Sequence, residues 1–371
     1  MRLFNSRRIA AFAAFHALPA LASNVTLSPG GNDSANFNNA AFKCTSGGGT
    51  ITINAGIYTV SNLVMPSNCT IKGVGNPVLK AASPGTPLFS QFWANVSNTT
   101  VQGITIDGGG IYGNTFTNFN FINNTVQNIP AAGCCSDGLH VAAVNNVTVR
   151  NNTFFNIGAN CFPTPPQGGP DECNSAVGAY GGNNYVVDSN VFDTVEEGVK
   201  GYQVPNPPLS TNIQVTSNTF LRVHRMAIEF QWQFNNGVFS GNAFSNWINP
   251  FWISTCISIA SQGTVAITNN VCDGSFSQGG AGYFGMCVEN MANASITGNT
   301  CEFNASTPAD WRWGAWVASY PWNTAGSLIT GNNFCGAGGG LTGLPNLRTG
   351  VGINSASPSC VGLYVQPQAG P

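Results

Sequence analysis

One short phrase recurs along this chain and limits what it can fold into: an asparagine, one variable residue, then a large apolar residue or a cysteine. It reads Asn152-Thr153-Phe154, Asn190-Val191-Phe192, Asn218-Thr219-Phe220, Asn242-Ala243-Phe244, Asn270-Val271-Cys272, Asn299-Thr300-Cys301 and Asn332-Asn333-Phe334, with a weaker copy at Asn124-Thr125-Val126. Successive copies stand 28, 38, 28, 24, 28, 29 and 33 residues apart, a period in the range of solenoid repeats. A short alternating stretch precedes each phrase, as at Val147–Val149, Ile213–Val215 and Val265–Ile267. These segments are too short, too β-branched and too rich in Gly and Asn for a helical solenoid. Each repeat is therefore predicted to be one coil of three short strands, which cannot bury its apolar side alone and must stack on its neighbours.

Stacking at ~4.8 Å pairs the backbones as parallel strands, and crossovers between parallel strands are right-handed. The fold class that follows is all-β: a single-domain right-handed parallel β-helix, a solenoid of about 9–11 coils. Asn152, Asn190, Asn218, Asn242, Asn270, Asn299 and Asn332 should form one internal ladder, with the recurring Phe stacked in the core. The 12 cysteines suit disulfides in an exported protein. Coil register pairs Cys272 with Cys301 and Cys256 with Cys287. Cys161 and Cys173 bracket the longest interval, and Cys44–Cys69 and Cys335–Cys360 would tie down the two ends.

The chain opens with Arg2, Arg7 and Arg8, an apolar run from Ile9 to Leu21, and the small-residue site Ala20-Leu21-Ala22. That order is a secretory signal peptide over residues 1–22, too short for a membrane helix, and no later apolar run reaches the ~18 residues a span needs. The remainder divides into a β-helix domain over 23–345, with an N-terminal cap and an insertion near 158–176, and a C-terminal capping tail over 346–371. Without the leader, nine basic residues face 14 acidic ones, which argues against a nucleic-acid partner, since that demands a basic face. Only 7% of residues are charged, against ~25% in ordinary domains. Asn, Thr, Ser and Gly must then carry solubility, in what is expected to be a secreted monomer.

The stretch Gly47-Gly48-Gly49-Thr50-Ile51-Thr52-Ile53-Asn54-Ala55-Gly56-Ile57-Tyr58, followed by Cys69-Thr70-Ile71-Lys72-Gly73-Val74-Gly75, resembles the first coils of pectate-lyase-like β-helices. The resemblance covers roughly residues 45–340 and implies the fold. It implies no single activity, because that superfamily holds lyases, hydrolases, epimerases and non-enzymes. The polygalacturonase signatures (N-T-D, D-D, G-H-G, R-I-K) and the pectate-lyase W-x-D-H are absent. Asp137-Gly138-Leu139-His140 is faintly similar to the D-P-H-D element of alginate-type epimerases, although Asp-Gly-apolar phrases also punctuate coils routinely.

In so uncharged a chain, ionised residues are informative. Asp188, Asp193, Glu196, Glu197, Lys200, Arg222, Arg225 and Glu229, with His224 among them, fall between positions 188 and 229. Aligning coils on Asn190 and Asn218 puts Glu196 beside His224, Glu197 beside Arg225, and Lys200 beside Glu229. Strand alternation turns His140, Lys200, Glu229, Gln231, Ser258 and Glu289 outward, so one outer face carries a polar column across several coils. Trp232, Trp247, Trp252, Trp311, Trp313, Trp316 and Trp322 all follow the cluster, and the 311–316 group suits sugar rings. The rival is a purely structural role, since opposite charges in adjacent strands also settle a sheet surface, at about 0–1 kcal/mol per exposed pair.

Two chemistries fit these residue types. β-Elimination of a uronic-acid polymer needs a base for the C5 proton, a role the resemblance gives to Lys, Arg or His, and a positive group or Ca²⁺ for the substrate carboxylate. Lys200, Arg222, His224, Arg225 and Glu229 are the candidate catalytic residues, and Glu196 with Glu197 the candidate Ca²⁺ ligands. His140, Gln231, Trp232, Glu289, Trp311 and Trp313 are the candidate polysaccharide contacts. Inverting hydrolysis instead needs two carboxyls ~6.5–9.5 Å apart, which Glu229 and Glu289, two coils apart, roughly meet. A non-catalytic glycan- or ice-binding solenoid is the third reading; ice would want flat Thr arrays, unlike this charged and uneven column.

Overall fold

The computed structural model describes residues 22–130, 136–158, 174–201, 210–231, 234–245, 253–273, 284–302, 312–318, 328–333, 352–354 and 363–366. The leader predicted at 1–22 (but for Ala22), most of the insertion near 158–176 and most of the tail over 346–371 lie outside them. So do the pairs Cys161 with Cys173 and Cys335 with Cys360. Among the described residues the chain forms one sheet of 17 strands and one of ten. Neighbouring strands run parallel, each pairing with its equivalent one repeat away, as in Phe154↔Phe192 and Phe192↔Phe220. This is the single-domain right-handed parallel β-helix the repeat predicts. No helix among the described residues is long and apolar enough to cross a membrane.

The predicted three strands per coil are present, but two of them run together. Leu139–Arg150 is one long strand with positive φ at Ala143 (46°) and Asn146 (60°). It bends there without leaving the sheet, and so supplies two faces of its coil. The third face is a short strand such as Thr153–Ile157. Between them lies a tight turn whose first residue is left-handed: Asn151, Ser189, Ser217, Gly241, Asn269, Gly298 and Gly331 all have φ between 54° and 67°. Only small or locally hydrogen-bonding residues adopt that conformation cheaply, which is why these positions are Asn, Ser or Gly.

The next residue is the ladder asparagine, and the ladder forms as predicted. In Asn218 the backbone N–H and Nδ2 both donate to Oδ1 of Asn242 (3.0 Å each). Its second Nδ2 hydrogen goes to the Val187 carbonyl at 3.0 Å, and its own Oδ1 accepts both donors of Asn190. The pattern runs from Asn124 to Asn332, so buried polar groups that would each cost about 1–3 kcal/mol unpaired are satisfied. Beside it Phe154, Phe192, Phe220 and Phe244 stack with centroids 4.7–5.0 Å apart.

The helix α1, Asp33–Gly47, covers the first coil with Phe37, Ala40, Ala41 and Cys44, and the predicted Cys44–Cys69 bridge ties it there. The other bridges need correction. Cys272 and Cys301 do stand in register, but Cys272 bonds Cys256, across the core of its own coil, with Cα atoms 6.3 Å apart. The predicted pairs Cys272–Cys301 and Cys256–Cys287 therefore do not form, and Cys301 is oxidised to another cysteine. Stacked and cross-coil neighbours both fall within disulfide reach, so register alone does not choose between them.

Candidate active site

Where the chain turns from the short sheet into the long one, four coils in succession carry a buried polar pair: Ser136-Asp137, Asn174-Ser175, Glu196-Glu197 and His224-Arg225. Backbone bonds stack them directly, as in Glu197 N–H to the Asn174 carbonyl and Arg225 N–H to the Glu196 carbonyl. Their side chains interlock as well. The Asn174 amide oxygen accepts the Ser136 N–H at 2.6 Å, and its nitrogen donates to Glu196. Ser175 donates its N–H (2.7 Å) and its hydroxyl (2.8 Å) to Oδ1 of Asp137. Glu197 is gripped by Arg225 at 2.9 Å and by Lys200 at 2.8 Å, and Lys200 lies 3.4 Å from Glu229.

Next to these pairs, on the outer side of the long sheet, Tyr112, His140, Gly178, Lys200, Glu229 and Ser258 stand in one register. The strand positions continue to Glu289 and Trp316. His140 Nδ1 bonds Oδ2 of Asp137 at 2.6 Å, and its side chain remains 23% exposed. Its ring lies between Tyr112, stacked nearly parallel 5.0 Å away, and Tyr180, 4.3 Å away. Tyr180 comes from two residues beyond the register position. Glycine at 178 makes room for it, because a Cβ there would fall 2.4 Å from the tyrosine ring. Both phenols turn toward Asp137: its N–H donates to the Tyr112 hydroxyl, and the Tyr180 hydroxyl reaches Oδ2 at 3.4 Å. The Asp137 carboxylate thus meets both Ser175 donors, the Tyr180 hydroxyl and His140 Nδ1, and it fixes the tilt of the imidazole.

Burial, and then the Asp137 charge, push both phenols above their ordinary value, so Tyr112 and Tyr180 stay protonated. Burial and the neighbouring Glu197 push the Glu196 carboxyl up to about 8. For Glu197 burial also raises the carboxyl, while Lys200 and Arg225 pull it back part of the way. Burial alone would depress the Lys200 ammonium, but Glu197 and Glu229 outweigh it and hold Lys200 charged.

Lys200, Arg225, Glu229 and Glu197 are brought into one cluster that includes the predicted pairings Lys200–Glu229 and Glu197–Arg225, with Glu196 and His224 buried in the adjoining corner positions. One expectation fails: the sequence turns Lys200 and Glu229 out to solvent, yet Lys200 is 2% and Glu229 3% exposed. Arg222 is not part of the cluster. It lies on the short sheet, exposed, in a two-pronged ion pair with Asp193. Gln231, Glu289 and Trp313 are described only by strand position, and Trp232 and Trp311 lie outside the described residues. Ser175, Tyr112 and Tyr180 were not singled out, and Asp137 entered only within the phrase Asp137-Gly138-Leu139-His140; the further signal was a tyrosine 28 residues, one coil, before His140.

The predicted calcium ligands suit a cation poorly. Both oxygens of Glu197 already face cations, and Glu196, its carboxyl raised to about 8, accepts the Asn174 amide N–H. Among the described residues no three metal-ligand side chains converge.

Residues 88–255 match the model of a family described as right handed beta helix region. No curated protein matches by sequence. Among solved structures the chain is similar to the Dettilon tailspike protein, with 13% identity over 92% of this chain and 68% of that one and a TM-score of 0.54. It is also similar to polygalacturonase from Erwinia carotovora ssp. carotovora, with 12% identity over 98% and 100% of the two chains and a TM-score of 0.53. At such identities the likeness is one of fold.

Proposed function

We propose that this chain, which has the right-handed parallel β-helix fold of the pectate-lyase-like superfamily, is a secreted polysaccharide lyase that cleaves a uronic-acid-containing polymer by β-elimination. One observation carries the reading: His140, the partly exposed member of the outer column, is bonded through Nδ1 to a buried, fully solvated-by-protein carboxylate. That arrangement turns Nε2 to the edge of the ring away from Asp137, where it is placed to act as a base. In the step, Nε2 takes the C5 proton and the electron pair forms the C4–C5 double bond. The C4–O4 bond breaks, and the leaving oxygen takes a proton from water, because burial and the Asp137 charge make the phenols of Tyr180 and Tyr112 poor acids that flank the base rather than give up a proton. Lys200 and Arg225 lie in the coils beyond and are committed to Glu197 and Glu229, so they position the column rather than meet substrate. Export is supported by the leader-like N-terminus and by the Cys44–Cys69 and Cys256–Cys272 bridges, which persist outside reducing compartments.

The test is incubation with acidic and neutral polysaccharides, following the ultraviolet absorbance of unsaturated product alongside new reducing ends. Absorbance that His140→Ala lowers by roughly 10²–10⁴-fold is the expected result. Reducing ends without absorbance would favour an inverting hydrolase built on Glu229 and Glu289, which stand two coils apart in one register. Neither signal would leave a glycan-binding solenoid.

A further inference from the structure

The face that follows the bend carries a groove of about 490 Å³. One wall is a row of corner residues in successive coils, Asn184, Asn212, Asn236 and Thr264; the other is the outward row Gln214, Val238 and Ala266. The asparagines have an obvious local reason to be there. Each has φ between 55° and 58°, and neighbours bond amide to amide: Asn184 to Asn146 at 2.7 Å and Asn212 to Asn184 at 2.9 Å. Thr264 closes on Asn236 at 3.0 Å. Those bonds use one donor and one acceptor of the Asn184 amide, and a carboxamide has two donors and two acceptor lone pairs. The second row makes no turn. Even so, it holds Val238 40% exposed between Gln214 and Ala266, in the middle of a water-facing strip.

From this pairing we infer that the groove is a second polysaccharide subsite, taking an uncharged glycan strand laid along the coil stack. Amide edges beside a small apolar floor match a pyranose, which offers a ring of hydroxyls and a face of C–H groups. No ionisable side chain lines the groove, so nothing there would balance a uronate, and a neutral sugar loses no charge solvation on binding. Coils repeat every ~4.8 Å, close to the length of one sugar unit, so successive coils offer the same contacts to successive units. The subsite stands apart from the His140 column and does not depend on the lyase reading.

Native gels cast with hydroxyethylcellulose, galactomannan or polygalacturonate test it by mobility. At least one neutral polymer should slow the wild-type protein, and His140→Ala should be slowed equally. Val238→Glu and Gln214→Ala should each lose most of that retardation, with thermal melts confirming that they fold; should Val238→Glu fail to fold, Gln214→Ala decides. The inference is overturned if no neutral polymer retards the protein or if the folded groove variants are slowed like wild type. It is also overturned if His140→Ala is the variant that runs free.

Discussion

Replacing Lys200 by methionine separates a buried ionic cluster from a surface one. Lys200 stands 2.8 Å from Glu197 and 3.4 Å from Glu229, all three nearly inaccessible. Its removal strands carboxylates that the methylene stem of methionine cannot compensate, a loss of about 3–5 kcal/mol in comparable buried pairs. Arg225 remains on Glu197 at 2.9 Å, so the lower end applies, about 3 kcal/mol, or roughly 4 °C for a chain of this size. The pH dependence has a definite sign. The folded-state ammonium lies above its ordinary value, so its contribution is complete below about pH 10 and is lost only as the pH rises beyond it. In the variant, Glu197, already raised by burial, takes a proton as the pH falls, so the loss shrinks from pH 8 to pH 5. Guanidinium unfolding followed by circular dichroism at both values reads this directly, and Lys200→Met/Glu229→Gln should recover part of the loss. A loss under about 1 kcal/mol, the same at both pH values, is what an exposed pair gives and would refute the buried cluster.

Three other outcomes follow from the same structure. Asn218→Leu orphans two donors of Asn190 and the Val187 carbonyl; it should cost about 3–6 kcal/mol in denaturant unfolding, and more than Asn332→Leu at the less buried end of the ladder. An equal cost at both sites would mean the ladder is not the buried spine described. Glu196, with its carboxyl raised to about 8, stabilises the fold below the ordinary carboxylate range and loses that contribution as pH rises to about 8. Stability should therefore fall over pH 5–8 by up to ~1.4 kcal/mol per unit, and Glu196→Gln should flatten the slope; an unchanged slope places the proton elsewhere. Non-reducing peptide mapping should recover Cys256 joined to Cys272 and Cys44 to Cys69, and a peptide joining Cys272 to Cys301 would contradict the core-crossing bridge.

The solenoid and its ladder were legible because both rest on residues whose backbone preference and spacing are written in the chain: a left-handed Asn, Ser or Gly, then Asn, then Phe. Register carried the pairings Lys200 with Glu229 and Glu197 with Arg225 for the same reason. Burial of that cluster was not legible, since alternation tells which side of a strand a residue occupies and nothing of what else packs over it. Asp137 entered only through the phrase it shares with His140, because it sits at a coil corner, outside any alternating stretch. Tyr180 escaped because its ring serves the position of Gly178, two residues before it. The bridge at Cys272 went astray where two partners were equally near.

The asparagine ladder has a direction. From Asn124 to Asn299 each Asn gives its N–H and Nδ2 toward the coil that follows, and from Asn152 to Asn332 each takes both donors from the coil before. A finished coil therefore presents two aligned donors at its C-terminal side, waiting for one side-chain oxygen that the next repeat brings. The start of the stack is closed by α1 and the Cys44–Cys69 bridge. A repeat without its asparagine would leave those two donors unmet at one interface, so the weakness would sit at that rung instead of spreading evenly along the stack.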